Sequence, residues 1–239
     1  MTEIRQRVVC YITRGRRELL VFEHHDPALQ AGIQVVAGGI DEGETPAEAA
    51  IREALEEAGL NLENPVFLGS IDKHWIEAKN PNQHWHFYWL EVPSETPDAW
   101  DHTVTAGEDD MGMVYRQRFV KLEDVKLDWG LGQALPVLMH FLPWVPVSEQ
   151  TYSNGFARRL AQCIGSAQHP LFQKQVEAIY YNDSTDDVLY RVVESNVLAL
   201  VHLTYHLESD PRWPDTALFN NFEEWLRFEC DDVAYLLEP

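Results

Sequence analysis

The hydrophobic pattern of the N-terminal half predicts strands broken by turns, one amphipathic helix, then more strands. Arg7 to Ile12 and Leu19 to Phe22 are apolar runs of strand length, and Arg14-Gly15-Arg16-Arg17 between them reads as a hairpin turn. A loop rich in turn residues follows from His24 to Gly32, and its His24-His25 pair reads as surface loop. Ile33 to Val36 predicts a short strand that Gly38-Gly39 interrupts. Thr45-Pro46-Ala47-Glu48 is a helix start: Thr45 caps, Pro46 takes the first helical position where its missing N–H is harmless, and Glu48 closes a capping box. Gly59 supplies the left-handed residue that stops the helix, so it spans Pro46 to Ala58. Pro65 to Ile71, His84 to Leu90 and Val114 to Val120 predict further strands, and Leu131 to Phe141 a closing helix.

The prolines of Pro143-Trp144-Val145-Pro146 mark a domain boundary, after which the pattern restarts. Helices are expected over Asn154 to Ile164, Phe172 to Ile179 and Asn221 to Glu229, with a hairpin of Asp187 to Val193 and Val197 to Tyr205. The expected architecture is α/β (α+β): an α/β/α sandwich with a mixed sheet over residues 1–145, then a smaller α+β domain over 150–239.

Composition narrows the function classes. The net charge of -21 is spread over both halves and opposes long-range attraction to a nucleic acid duplex. No apolar run reaches the length of a membrane span, and the arginine-rich first residues are not followed by a signal-peptide core. Cys10, Cys163 and Cys230 lie far apart without metal-type spacing, as expected of reduced thiols in a cytoplasmic protein. A homodimer is compatible with this composition, as is a protein partner for the C-terminal half.

The Pro46–Ala58 helix carries the chemistry. Positions 47, 50, 51, 54, 55 and 58 form an aliphatic face expected to pack on a sheet. Glu53, Glu56 and Glu57 stand at i, i+3 and i+4 on the opposite face. Carboxylates crowded there repel one another, and a hard divalent cation would relieve that repulsion; an ordinary solvated acidic face is the alternative. Arg52 is placed to pair with Glu56 or with Glu44 in the preceding loop.

Gly38, Glu44, Arg52, Glu53, Glu56, Glu57, Gly59 and Leu60 reproduce the spacing Gly-x5-Glu-x7-Arg-Glu-U-x-Glu-Glu-x-Gly-U, where U is aliphatic. In this the chain resembles the Nudix hydrolase superfamily. The match departs only in the small Ala54 at the first U slot and in Val36-Ala37, where many members have Leu-Pro. The resemblance implies a Nudix fold and metal-dependent hydrolysis of a nucleoside diphosphate linked to another moiety. Carried over by position, Glu53, Glu56 and Glu57 would bind magnesium or manganese with the backbone carbonyl of Ala37. Arg52 and Glu44 would form a salt bridge holding loop to helix, with Gly38 and Gly59 structural. Members often add an acid from a loop before a late strand, which makes Glu108 a candidate ligand or general base beside an ordinary acidic loop.

Trp75, His86 and Tyr88 are candidates to stack a base or contact phosphate in a small nucleotide-type substrate. Alternation sets His84, His86 and Tyr88 against Trp85, Phe87 and Trp89, one set core, without saying which. The rival to an enzyme is a Nudix-fold nucleotide-binding module that acts through its C-terminal half. That half carries no motif pointing to a chemistry.

Overall fold

The computed structural model describes residues 4–29, 31–73, 82–107, 110–147 and 150–230. The chain divides into two compact units, with the division between Leu138 and Met139. The first holds β1 (Arg5–Arg14), β2 (Glu18–His24), β3 (Ala37–Gly39), α1 (Pro46–Ala58), β4 (Val66–Lys73), β5 (Gln83–Val92), β6 (Ala99–Thr103) and β7 (Val114–Lys121). The division falls inside α2 (Leu135–Phe141). β8 (Trp144–Pro146), α3 (Gln150–Cys163), β9 (Val176–Asn182), β10 (Asp187–Val192), β11 (Leu198–His202), β12 (Thr216–Phe219) and α4 (Phe222–Glu229) belong to the second.

The first sheet is mixed, in the order β4-β5-β1-β2-β7-β6 with β3 also on β1. β1 runs parallel to β5 along its whole length, from Arg5 opposite Gln83 to Arg14 opposite Val92. Both faces of this central pair are covered, so both sets of alternating residues are apolar. On one face Val8, Cys10, Ile12, Tyr88 and Leu90 pack against Ala49, Ala50, Ala54 and Ala58 of α1. Alanines let the helix axis come close to the sheet. On the other face Tyr11 lies 5.9 Å from Phe87, and its buried hydroxyl donates to Leu131 O at 2.6 Å and accepts from Ala134 N at 3.1 Å. This is an α/β/α sandwich.

The second unit is an antiparallel sheet, β12-β11-β10-β9-β8, whose core includes Leu160 of α3, Tyr190 and Val201. Trp144 and Trp225 are fully buried and meet edge-to-face at 5.2 Å. Asn221 caps α4 by accepting from Glu224 N at 2.9 Å. The Pro143–Pro146 stretch, read from the sequence as a domain boundary, holds a strand from Trp144 to Pro146: Val145 pairs with Tyr181, and Pro146 is tolerated because β8 is an edge. Phe172 to Ile179 is not a helix either; its second half is β9, where pairing with β8 and β10 outweighs an ambiguous periodicity. Likewise the strand predicted at Ile33 to Val36 reduces to a bridge between Gln34 and Phe22, and the glycine pair expected to end it forms β3 instead. Among the described residues no helix is long and apolar enough to cross a membrane.

Candidate functional site

Three local devices place the site. β3 lies antiparallel on β1, with Gly39 opposite Arg7 and Gly38 opposite Val8, which fixes the loop leading to α1. Thr45 closes the capping box, since its side chain accepts from Glu48 N at 3.3 Å while Glu48 Oε2 accepts from Thr45 N at 2.8 Å. Gly59 ends the helix at φ 72° and donates to the Ala54 and Leu55 carbonyls. A Cβ there would stand 2.8 Å from His102 Nδ1, so the position needs glycine for space as well as conformation.

The helix is rotated from its expected orientation. Its buried residues are Ala49, Ala50, Glu53, Ala54, Glu57 and Ala58, whereas Leu55 is 48% exposed. Glu53 and Glu57 thus lie on the inward face, one turn apart, and not on a solvated one. Burial raises the Glu53 carboxyl above the usual carboxylate range despite Arg52. Burial, then the neighbouring Glu53, pushes Glu57 up further. Leaving such charges uncompensated costs on the order of several kcal/mol each.

Arg52 offsets part of this. Its Nε and Nη2 donate to Glu44 at 2.9 and 2.8 Å, Nη1 to Glu53 at 2.8 Å and Glu56 at 3.1 Å, and Nη2 also to Gly39 O at 2.8 Å. One planar guanidinium joins loop, strand and helix, a task its fork geometry suits and an ammonium does not. Glu57 Oε2 accepts from Ala37 N at 3.0 Å, and Ala37 O accepts from Arg7 Nη2 at 3.0 Å.

Apart from Glu44, these groups line a cavity of about 820 Å³. Glu53, Glu56 and Glu57 form its acidic floor, and Asp110 contributes from the loop before β7. Arg5 and Arg7 line it from alternate positions of β1. Sequence reasoning passed over Arg5, Arg7 and Asp110. The two arginines share one strand face by their i, i+2 spacing, and that was the available signal.

Of the remaining candidates, Trp75 and Glu108 lie outside the described residues. Tyr88 is buried in the core under α1, which removes it from the substrate candidates. His86 is bonded through Nε2 to Gln6 at 2.8 Å and stacks edge-on with His84 at 4.6 Å. Neither lines the acidic cavity. Trp85, Phe87 and Trp89 are buried while His84 and His86 are half-buried, so one alternating set is core as expected, and the alternation breaks only from Tyr88 onward.

The carboxylate oxygens of the site are donors of the chemical type that a divalent cation prefers. Glu53 and Glu57 are buried carboxylate oxygen donors, and the Glu53 carboxylate occupies the space that a side chain at Gly38 would fill. The residues are nonetheless engaged otherwise as they stand. Among the described residues no group of three or more acidic, histidine or cysteine side chains is arranged to hold a metal ion. Arg52 takes Glu53 and Glu56, and Arg7 takes the Ala37 carbonyl expected as a ligand.

Fold and site together define an α/β/α sandwich whose loop–helix unit lines a cavity with carboxylates. The family model described as NUDIX domain matches residues 3–141, more than half of the 239 residues, and the chain belongs to that family. Over 50 residues it is 46% identical to an RNA pyrophosphohydrolase of Photobacterium profundum, a stretch covering 21% of this chain and 28% of that protein. The corresponding values for an RNA pyrophosphohydrolase of Aliivibrio fischeri are 44%, 21% and 29%. The chain thus matches less than a third of the length of these curated relatives. Among solved structures, the MutT NUDIX hydrolase from Burkholderia pseudomallei is 21% identical, covers 56% of this chain and 96% of its own, and gives a TM-score of 0.42. The NUDIX domain of Shewanella oneidensis NrtR complexed with ADP ribose is 12% identical, with coverages of 56% and 86% and a TM-score of 0.43.

Proposed function

We propose that the first unit is a metal-dependent pyrophosphohydrolase that cleaves a small compound in which a nucleoside diphosphate is linked to another moiety. The observation that carries this reading is the pair of buried carboxylates, Glu53 and Glu57, on the floor of a cavity that also presents Arg5 and Arg7. Glu53, Glu56 and Glu57 would hold magnesium or manganese, which when bound neutralises a pyrophosphate and lowers the pKa of a water. Arg52 keeps Glu44, Glu53 and Glu56 in register with the loop. Arg5 and Arg7 supply donors to the anhydride oxygens. One glutamate, directly or through a water, removes the proton from the attacking nucleophile. The stretch shared with RNA pyrophosphohydrolases supports cleavage of a pyrophosphate link, while the charge of -21 favours a small nucleotide over a duplex.

A second reading, a nucleotide-binding module acting through the C-terminal unit, is favoured by Arg52 bonding Glu53 and Glu56 and by Arg7 bonding Ala37 O. One experiment separates the two. The full chain is incubated with magnesium or manganese and a panel of ADP-ribose, dinucleoside polyphosphates, nucleotide sugars, NADH, nucleoside triphosphates and a 5′-triphosphorylated RNA. Hydrolysis that falls at least about a hundredfold in Glu57→Gln supports the enzyme. No turnover on any substrate moves the protein to the binding module.

A further inference from the structure

The last four carbonyls of a helix have no partner within it. In α1 they belong to Leu55, Glu56, Glu57 and Ala58, and the fold supplies a donor to each. Leu55 O accepts from Gly59 N at 3.0 Å, the usual closure by a capping glycine. The other three are met from β6, β7 and the turn between them. Glu56 O accepts from His102 Nε2 at 3.0 Å and from Thr105 N at 3.2 Å. Glu57 O accepts from Gln117 Nε2 at 2.8 Å, and Ala58 O from Trp100 Nε1 at 2.9 Å. A basic side chain often serves helix carbonyls of this kind, but α1 has none in its last turn. Gln117 and Trp100 satisfy them without adding charge.

Gln117 is fully buried. A carbonyl only accepts, so its NH2 must face Glu57 O, and its own Oε1 is then shielded without a hydrogen-bond partner among the described residues. A buried amide oxygen left unsatisfied is destabilising, so stability alone does not account for glutamine at this position. The same bond completes a hold on Glu57 from two sides. Its backbone is tied to β7 through Gln117, and its carboxylate to β3 through Ala37 N at 3.0 Å. Glu56 is held likewise, its backbone by His102 and Thr105 and its carboxylate by Arg52 at 3.1 Å.

Resting on the reading of Glu53, Glu56 and Glu57 as holders of a divalent cation, we propose that Gln117 and His102 are positioning residues for that site. They fix the last turn of α1 against β6 and β7. The bonded carbonyls belong to Glu56 and Glu57 themselves, so a shift of that turn carries both carboxylates with it. Like charges in one cavity push such a turn to fray, and donors fixed in a sheet oppose this where water would not. Groups that orient metal ligands without touching the metal commonly govern its affinity.

The test is metal binding, which does not depend on turnover. Manganese is titrated into the full chain well below its melting temperature, followed by calorimetry. Gln117→Met keeps the length and loses the donor; His102→Phe keeps a ring and loses the donor. Each is expected to weaken manganese binding at least about tenfold. His102→Gln, whose amide reaches the same carbonyl, is expected to stay within about threefold of wild type. Gln117→Met exchanges one unsatisfied buried oxygen for another, so its melting temperature should stay within a few degrees of wild type. A collapse of that melting temperature would reduce Gln117 to a structural cap and overturn the proposal. No manganese binding by wild type, wild-type affinity in Gln117→Met or in a folded His102→Phe, or equal losses in His102→Gln and His102→Phe overturns it too. Manganese binding that depends on Gln117 without hydrolysis of any panel substrate would sink the enzyme reading and leave the positioning role standing. Hydrolysis with wild-type manganese affinity in both variants would do the reverse.

Discussion

The Glu53 carboxylate occupies the space directly above the α-carbon of Gly38: a Cβ built on Gly38 would lie 1.8 Å from Glu53 Oε1. This glycine is required for close approach, since its backbone is not in the left-handed region. It lets a strand residue and a helix residue bring backbone and carboxylate together. Gly38→Ala is therefore expected to fold, with the methyl displacing Glu53 from its place beside Arg52. Metal-dependent turnover on the best panel substrate should fall at least about tenfold while the melting temperature drops only a few degrees. Turnover equal to wild type would show that the position of Glu53 is not critical.

Arg52 is bonded to Glu44, Glu53, Glu56 and Gly39 O at once. Arg52→Lys keeps the charge and loses the fork. A loss of about 2–4 kcal/mol is expected, because buried acceptors are left without donors. Urea denaturation measures it, and a loss under about 0.5 kcal/mol would mean that the loop is held by other contacts.

Thr45 closes the N-terminus of the helix that carries Glu53, Glu56 and Glu57. Thr45→Ala is expected to cost about 1 kcal/mol, read from the same denaturation curves. Turnover at a temperature well below melting should stay near wild type, since the cap acts on the helix end and not on Glu53 or Glu57.

Magnesium should stabilise the folded chain. A ligand that binds only the native state at a hundred times its dissociation constant adds about 2.7 kcal/mol. Thermal unfolding with magnesium and with chelator is expected to differ by several degrees for wild type and by much less for Glu57→Gln. Identical shifts in both proteins would place the cation elsewhere.

His86 gives a pH signature away from the acidic cavity. Burial, and then the nearby His84, lowers its pKa to about 4, against about 6.5 in an unfolded chain. Below pH 6.5 the unfolded chain takes up this proton before the folded one does. The folded state is thus favoured above about 6.5, and that contribution is lost progressively as pH falls toward 4. His86→Gln should flatten the decline in melting temperature between pH 6.5 and 4, and parallel curves for the two proteins would contradict the assignment.

The linear order of residues was enough to determine the Pro46–Ala58 helix, its cap at Thr45, its stop at Gly59 and the box from Gly38 to Leu60. Each depends on neighbours a few positions apart, where spacing and residue type act directly. Most strands of the first unit were legible for the same reason. Tertiary structure alone decided which way the helix faces. Periodicity separates Leu55 from Glu57 but does not say which meets the sheet; in the fold Glu57 accepts from Ala37 N and Arg52 donates to Gly39 O, bonds that tie the inward-facing glutamates to β3. It also decided that Trp85 and Tyr88 are both core, because a sheet covered on two sides no longer alternates in burial. Arg7, Glu57 and Asp110 come from segments far apart in the chain, and only long-range strand pairing and loop packing bring them to one cavity.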